Sequence, residues 1–115
     1  MILVAFRSRV RMELVDEIVK MDIEMRELVQ SIPGFVEYKD FAASDGEGLS
    51  IAIFESGEAL RVWRDHPRHR EAMELGYDRW MSSYDISVCE VKRRYTRDDR
   101  QKGIAQGKPV GVILE

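Results

Sequence analysis

The chain predicts an α+β domain of βαββαβ order, the split βαβ or ferredoxin-like arrangement, built on a four-stranded antiparallel sheet. Three observations carry this reading. An apolar run at residues 2–9 is followed by Leu14, Ile18, Met21, Met25, Leu28 and Ile32 at helical spacing. A turn cluster, Ser44-Asp45-Gly46-Glu47-Gly48, separates two strand-like runs at 35–41 and 49–55. A capped helical stretch broken at His66-Pro67 then leads to a last alternating run at 84–91.

The first strand is Ile2-Leu3-Val4-Ala5-Phe6 and its continuation to Arg9. The helix after it has an outer face with Asp16 before Lys20 and Asp22 before Arg26. Acid-before-base pairs at i, i+4 support a helix by a few tenths of a kcal/mol, and this face reads as solvated, with no binding patch. Pro33-Gly34 ends the helix. The third strand hands over directly to a helix at Ser56, a good N-cap, with Glu58 in the first turn where the helix dipole favours negative charge. That helix should stop near Asp65, because Pro67 excludes His66 from the α region and itself suits the first turn of a new helix. From 67 to about 80, one stripe holds His69, Ala72, Met73, Gly76 and Trp80.

At 115 residues and 44% hydrophobic content the chain fits one domain with a real core. The net charge is −3, with basic and acidic residues interleaved, which gives no electrostatic footprint for nucleic acid or an anionic membrane surface. Cys89 is the only cysteine, so an intrachain disulfide and a multi-cysteine metal cluster are excluded; in an apolar strand it reads as a small buried hydrophobe. The opening apolar run is too short for a signal-peptide core or a membrane span, and the expected setting is cytoplasmic.

The strands carry apolar groups on both faces, Val4 and Phe6 against Leu3 and Ala5, and Leu49, Ile51 and Ile53 against Ala52 and Phe54. One helical layer covers one face, so the other calls for a second copy, and a homodimer is expected. Residues 1–95 form the domain. Residues 96–115, polar and Gly/Lys-rich before an apolar end, form a C-terminal extension that either stays solvated or packs on the partner subunit.

The histidines concentrate the candidate chemistry. His69 lies on an apolar stripe beside Gly76, which offers space next to a titratable ring, and it reads equally as a base or as a packing residue. His66, before Pro67, reads first as a helix-start residue. At i, i+3 the pair lacks a third ligand of defined spacing, so no metal is expected.

These elements together resemble the antibiotic biosynthesis monooxygenase (ABM) family, dimeric α+β barrels of ferredoxin-like fold. The resemblance rests on Phe6-Arg7-Ser8-Arg9, on Ile32-Pro33-Gly34-Phe35, and on Ile53-Phe54-Glu55-Ser56 with Ala59-Leu60. It extends through Trp63-Arg64-Asp65-His66-Pro67-Arg68-His69 to Tyr84 and Val88-Cys89-Glu90-Val91, and so covers about residues 1–95. It implies a cofactor-independent monooxygenase of a small aromatic phenol or quinol, using dioxygen, with His69 as base and Trp63 as wall. Met73, Gly76, Tyr77 and Trp80, with Tyr38, Tyr84 and His66, are the candidate pocket residues, the tyrosines to steady a phenolate or peroxide. The haem-degrading branch of the family asks for a histidine ten residues after the tryptophan and an asparagine near the end of the first strand. Met73 and Ser8 stand there, which disfavours a haem-binding protein. The remaining alternative is a non-catalytic small-molecule-binding or structural homodimer of the same fold.

Overall fold

The structure is a computed structural model that describes residues 1–98. The strands are β1 (Ile2–Val10), β2 (Phe35–Ala42), β3 (Gly48–Phe54) and β4 (Met81–Glu90), and the helices are α1 (Val15–Val29), α2 (Gly57–Asp65) and α3 (Pro67–Leu75). A 3-10 turn (Met12–Leu14) leads into α1, and a π-helical turn (Gly76–Trp80) leads from α3 into β4. The sheet runs β2-β3-β1-β4 with all neighbours antiparallel, which is the predicted four-stranded ferredoxin-like arrangement.

Register explains which side chains face the helices. Val4 pairs with Ala52 and Val88, and Phe6 with Ser50 and Ile86, so these rows share one face of the pleat. The core gathers beneath α1 and α2 at the β2–β3 side: Phe54, wholly buried, packs with Val29, Ile32, Ala52, Ala59 and Trp63. Phe35 meets Phe54 edge-on at 5.9 Å. The helices are tied together through charge. Arg68 at the start of α3 donates to both carboxylate oxygens of Glu24 on α1 through its Nε and Nη2, and Arg79 and the Trp80 indole both donate to Glu17, each at 2.6 Å.

The opposite face carries Leu3, Ala5, Leu49, Ile51 and Ile53. The chain after β4 crosses one end of it, since the Val91 N–H donates to the Met1 carbonyl at 2.9 Å and Arg94 pairs with Glu37 on the far strand at 3.3 Å. Ile53, in the same row as Glu37, is only 6% exposed. The C-terminal extension beyond residue 98 lies outside the described residues.

Two expectations change. The last strand begins at Met81 instead of Tyr84, because the π-helical turn closes the preceding helix with the Met81 N–H on the Gly76 carbonyl. Cys89 is exposed, not buried: it sits on an edge strand, on the face that no helix covers.

Gly34 shows how tightly the turn into β2 is built. Its φ is +87°, a Cβ there would lie 2.8 Å from the Ala59 Cβ, and its carbonyl accepts from Glu55 N–H at 2.7 Å. Gly46 has φ +91° with open space around it. Gly34→Ala should therefore cost about 2–3 kcal/mol and lower the thermal midpoint by about 10–20 °C, while Gly46→Ala, with backbone strain alone, should cost about 1 kcal/mol; thermal melts followed by circular dichroism check the contrast.

Candidate functional site

Between the helices and the sheet lies a cleft of about 410 Å³, within the range of small-molecule sites. All four strands line it, through Tyr38 on β2, Ala52 on β3, Phe6 on β1 and Val88 on β4, so it spans about 14 Å at ordinary strand spacing. It opens along β4, where Ile86 and Val88 line it yet remain 38% and 61% exposed. The lining is mainly apolar, with Ile18, Met21 and Met25 from α1 and Ala72 and Met73 from α3.

His69 owes its state to a break in the helix. In a continuous helix the Trp63 carbonyl would accept from residue 67, but that residue is proline and has no N–H. The next candidate, Arg68 N–H, is diverted to the His66 side chain, whose Nδ1 accepts it at 3.1 Å and so caps α3. The freed Trp63 carbonyl takes the His66 N–H at 3.2 Å and the His69 ring, with Nδ1 at 3.0 Å. A carbonyl only accepts, so Nδ1 carries the proton and Nε2 keeps the lone pair. The ring stacks on Trp63 at 4.1 Å between centroids, 20° from parallel, and lines the cleft. Burial holds its pKa below the ordinary 6.5, against the opposing pull of the Trp63 and Arg64 carbonyls. At neutral pH it is an uncharged imidazole.

Trp63, Trp80, Met73, Gly76, Tyr77 and Tyr38, six of the candidate residues, line the same cleft. Two candidates do not. His66 is spent on the helix cap, and Tyr84 stacks on Tyr77 at 4.6 Å from outside the lining, half-exposed. The space expected at Gly76 is also taken: a Cβ there would meet the Met81 methyl at 2.7 Å, so the glycine makes room for Met81.

Tyr38 is not the donor the sequence suggests. It donates to Ser50 Oγ at 3.2 Å, and Ser50 donates onward to Asp40 at 2.6 Å, so its proton is committed away from a ligand. Burial pushes its pKa up to about 12, which keeps the phenol protonated. Asp40 pairs with Arg26, which also binds Asp22 at 2.9 Å and lies over the Tyr38 ring.

This network was not legible as a site in the sequence. The Asp22–Arg26 pair reads as a solvated helix face, yet Asp22 is partly buried and lines the cleft, with burial raising its pKa. Its spacing from Ile18 and Met25 places it on the apolar stripe, and Tyr38 and Asp40 two apart on β2 point to the same side. Those were the available signals. Among the lining residues the only other charged side chain is Arg64, exposed on α2. No helix among the described residues is long and apolar enough to cross a membrane.

The depressed pKa of His69 has a consequence for stability. Between the folded pKa and the unfolded value near 6.5 the unfolded chain binds the extra proton, so this contribution is complete above pH 6.5 and declines as pH falls below it. The urea midpoint should drop between pH 7.5 and 5.5, and by less in His69→Gln.

Comparison with known proteins agrees with this architecture. The family model described as antibiotic biosynthesis monooxygenase matches residues 1–75. The uncharacterized protein YqjZ of Bacillus subtilis (strain 168) is 33% identical over 70 residues, 61% of either chain, so the match spans less than two thirds of that relative. Among solved structures, Rv0793 from Mycobacterium tuberculosis superimposes with a TM-score of 0.73 at 16% identity, covering 83% of this chain and 98% of its own. SnoaB, a cofactor-independent oxygenase from Streptomyces nogalater, superimposes with a TM-score of 0.70 at 14% identity, covering 84% and 97%. At such identities the structures speak for the fold alone, but with a family model spanning most of the domain that fold encloses, the chain belongs to the antibiotic biosynthesis monooxygenase family.

Proposed function

We propose that this protein is a cofactor-independent monooxygenase of a small, electron-rich aromatic phenol or quinol, with His69 as general base. The observation that carries the reading is a half-buried, neutral imidazole with its Nδ1 proton tied to a carbonyl, stacked on Trp63 in an apolar cleft of aromatic-ligand size. SnoaB, of the same fold, is described as a cofactor-independent oxygenase.

For an anthrone-type substrate the chemistry balances without a further reagent. Nε2 of His69 takes the phenolic proton, and the phenolate, now a strong one-electron donor, passes an electron to dioxygen. The two radicals join in a new C–O bond, and the peroxide so formed takes the proton back from His69 to become a carbon-bound hydroperoxide. The O–O bond then breaks as the remaining C–H proton leaves, one oxygen stays as a carbonyl and the other departs as water. A phenolate with little water around it is the stronger electron donor, and Trp63 and Trp80 supply flat walls for the ring. Arg64 is the cation of the lining that can offset the phenolate charge.

Oxygen uptake with a panel of quinols, phenols and anthrones tests the proposal. His69→Ala should lower turnover of an active substrate by about 10² or more. Because the neutral ring is the active form, wild-type kcat/KM should rise with pH to a plateau, with its inflection below 6.5. His66→Ala should lower turnover much less than His69→Ala does, while costing about 0.5–2 kcal/mol of stability through loss of the α3 cap. Equal turnover in wild type and His69→Ala would reject the base assignment, and a wild type inert towards every compound would favour a binding protein.

The same reading includes a homodimer across the uncovered sheet face, where Leu3, Ala5, Leu49 and Ile51 lie beside Arg7 and Lys39. Sedimentation at micromolar concentration should give about twice the chain mass, and a clean monomer would remove this part of the proposal.

A further inference from the structure

The cleft holds a second polar feature, on elements different from the one that carries His69. Asp22 projects from α1, Tyr38 from β2 and Ser50 from β3, and all three line the cavity. The direction of every proton in this group follows from its partners. A carboxylate only accepts, so the 2.6 Å contact has the Ser50 hydroxyl donating to Asp40, and Ser50 must therefore accept from Tyr38. Both hydroxyl protons are spent, leaving lone pairs on the two oxygens. Arg26 binds Asp22 through Oδ2 alone, by its Nε at 3.0 Å and its terminal nitrogen at 2.9 Å. Among the described residues Oδ1 of Asp22 receives no hydrogen bond, so the guanidinium orients the carboxylate while leaving one oxygen unused. Arg26 itself does not line the cleft, being held on its outer side between Asp22 and Asp40.

We propose that Asp22 Oδ1, with the Tyr38 and Ser50 oxygens, forms an acceptor-only subsite of the cleft that recognises a hydrogen-bond donor, a hydroxyl or amino group, carried on an aromatic ligand. The aromatic part of this statement rests on the function proposed above; the donor part rests on the network alone. A site whose polar groups are all acceptors discriminates sharply, because a ligand without a donor displaces water from Asp22 and returns nothing. The partial burial that raises the Asp22 pKa is the same desolvation that makes an unmatched ligand unfavourable. The subsite thus selects which end of an aromatic ligand enters this part of the cleft, separately from the proton removed by His69.

Binding of naphthalene-2,6-diol and of 2,6-difluoronaphthalene, close in size but without donors, tests this through quenching of Trp63 and Trp80, both of which line the cleft. Wild type should bind the diol at least about tenfold more tightly than the difluoride. Asp22→Leu should lower that ratio about fivefold or more without weakening the difluoride, and the same factor should appear when the substitution is made in His69→Ala, as expected for independent sites. Tyr38→Phe, which keeps the ring and removes the oxygen, should lower the ratio in the same direction and decides the matter if Asp22→Leu does not fold. A wild-type ratio near one, a ratio insensitive to both substitutions, or no binding of either compound at millimolar concentration would overturn the proposal. Absence of oxygenase turnover with an Asp22-dependent ratio would reject the proposed catalysis and leave the subsite standing.

Discussion

A single carbonyl without its helical partner organises this protein's cleft. Pro67 cannot donate to the Trp63 oxygen, and the bend that follows hands the oxygen to His69. One missing N–H thereby ends α2, starts α3, selects the imidazole tautomer and holds the ring flat on Trp63. His66 completes the arrangement by capping α3 with its own ring, which removes Arg68 N–H from competition. The two histidines therefore have different work although they lie three residues apart: one maintains the backbone geometry that positions the other.

The shape of the cleft follows from how far the helices reach across the sheet. They bury the β2–β3 side thoroughly, around Phe54 and Trp63, and leave the β4 side open. Within the helical layer, Glu17 and Glu24 join α1 to the π-helical turn through Trp80 with Arg79 and to α3 through Arg68. These ion pairs are exposed and contribute little to stability by themselves. Their effect is positional, since the buried Trp80 ring is oriented by its bond to Glu17 and forms part of the cleft wall. The β2 side is closed by a polar chain instead, from Tyr38 through Ser50 and Asp40 to Arg26 and Asp22.

The element order, the antiparallel sheet, the Ser56 and His66 caps and the inward stripe of His69, Met73 and Gly76 were all readable from periodicity and capping chemistry, because those are local properties of a few neighbouring residues. That they would share a cleft with Trp63 and Trp80 was an expectation of the family resemblance, which the periodicities alone left open. What the sequence could not settle was the environment of each group. Asp22 looks like half of a surface ion pair until the sheet brings Asp40 to Arg26 from 14 residues away, and Tyr38 looks like a donor until Ser50, 12 residues on, takes its proton. Cys89 belongs to an apolar run, yet its exposure depends on β4 being an edge strand. Burial, proton direction and tautomer are set by partners distant in sequence, so only the tertiary structure decided them; hydrophobic rhythm and turn chemistry are set by near neighbours, so the sequence alone determined those.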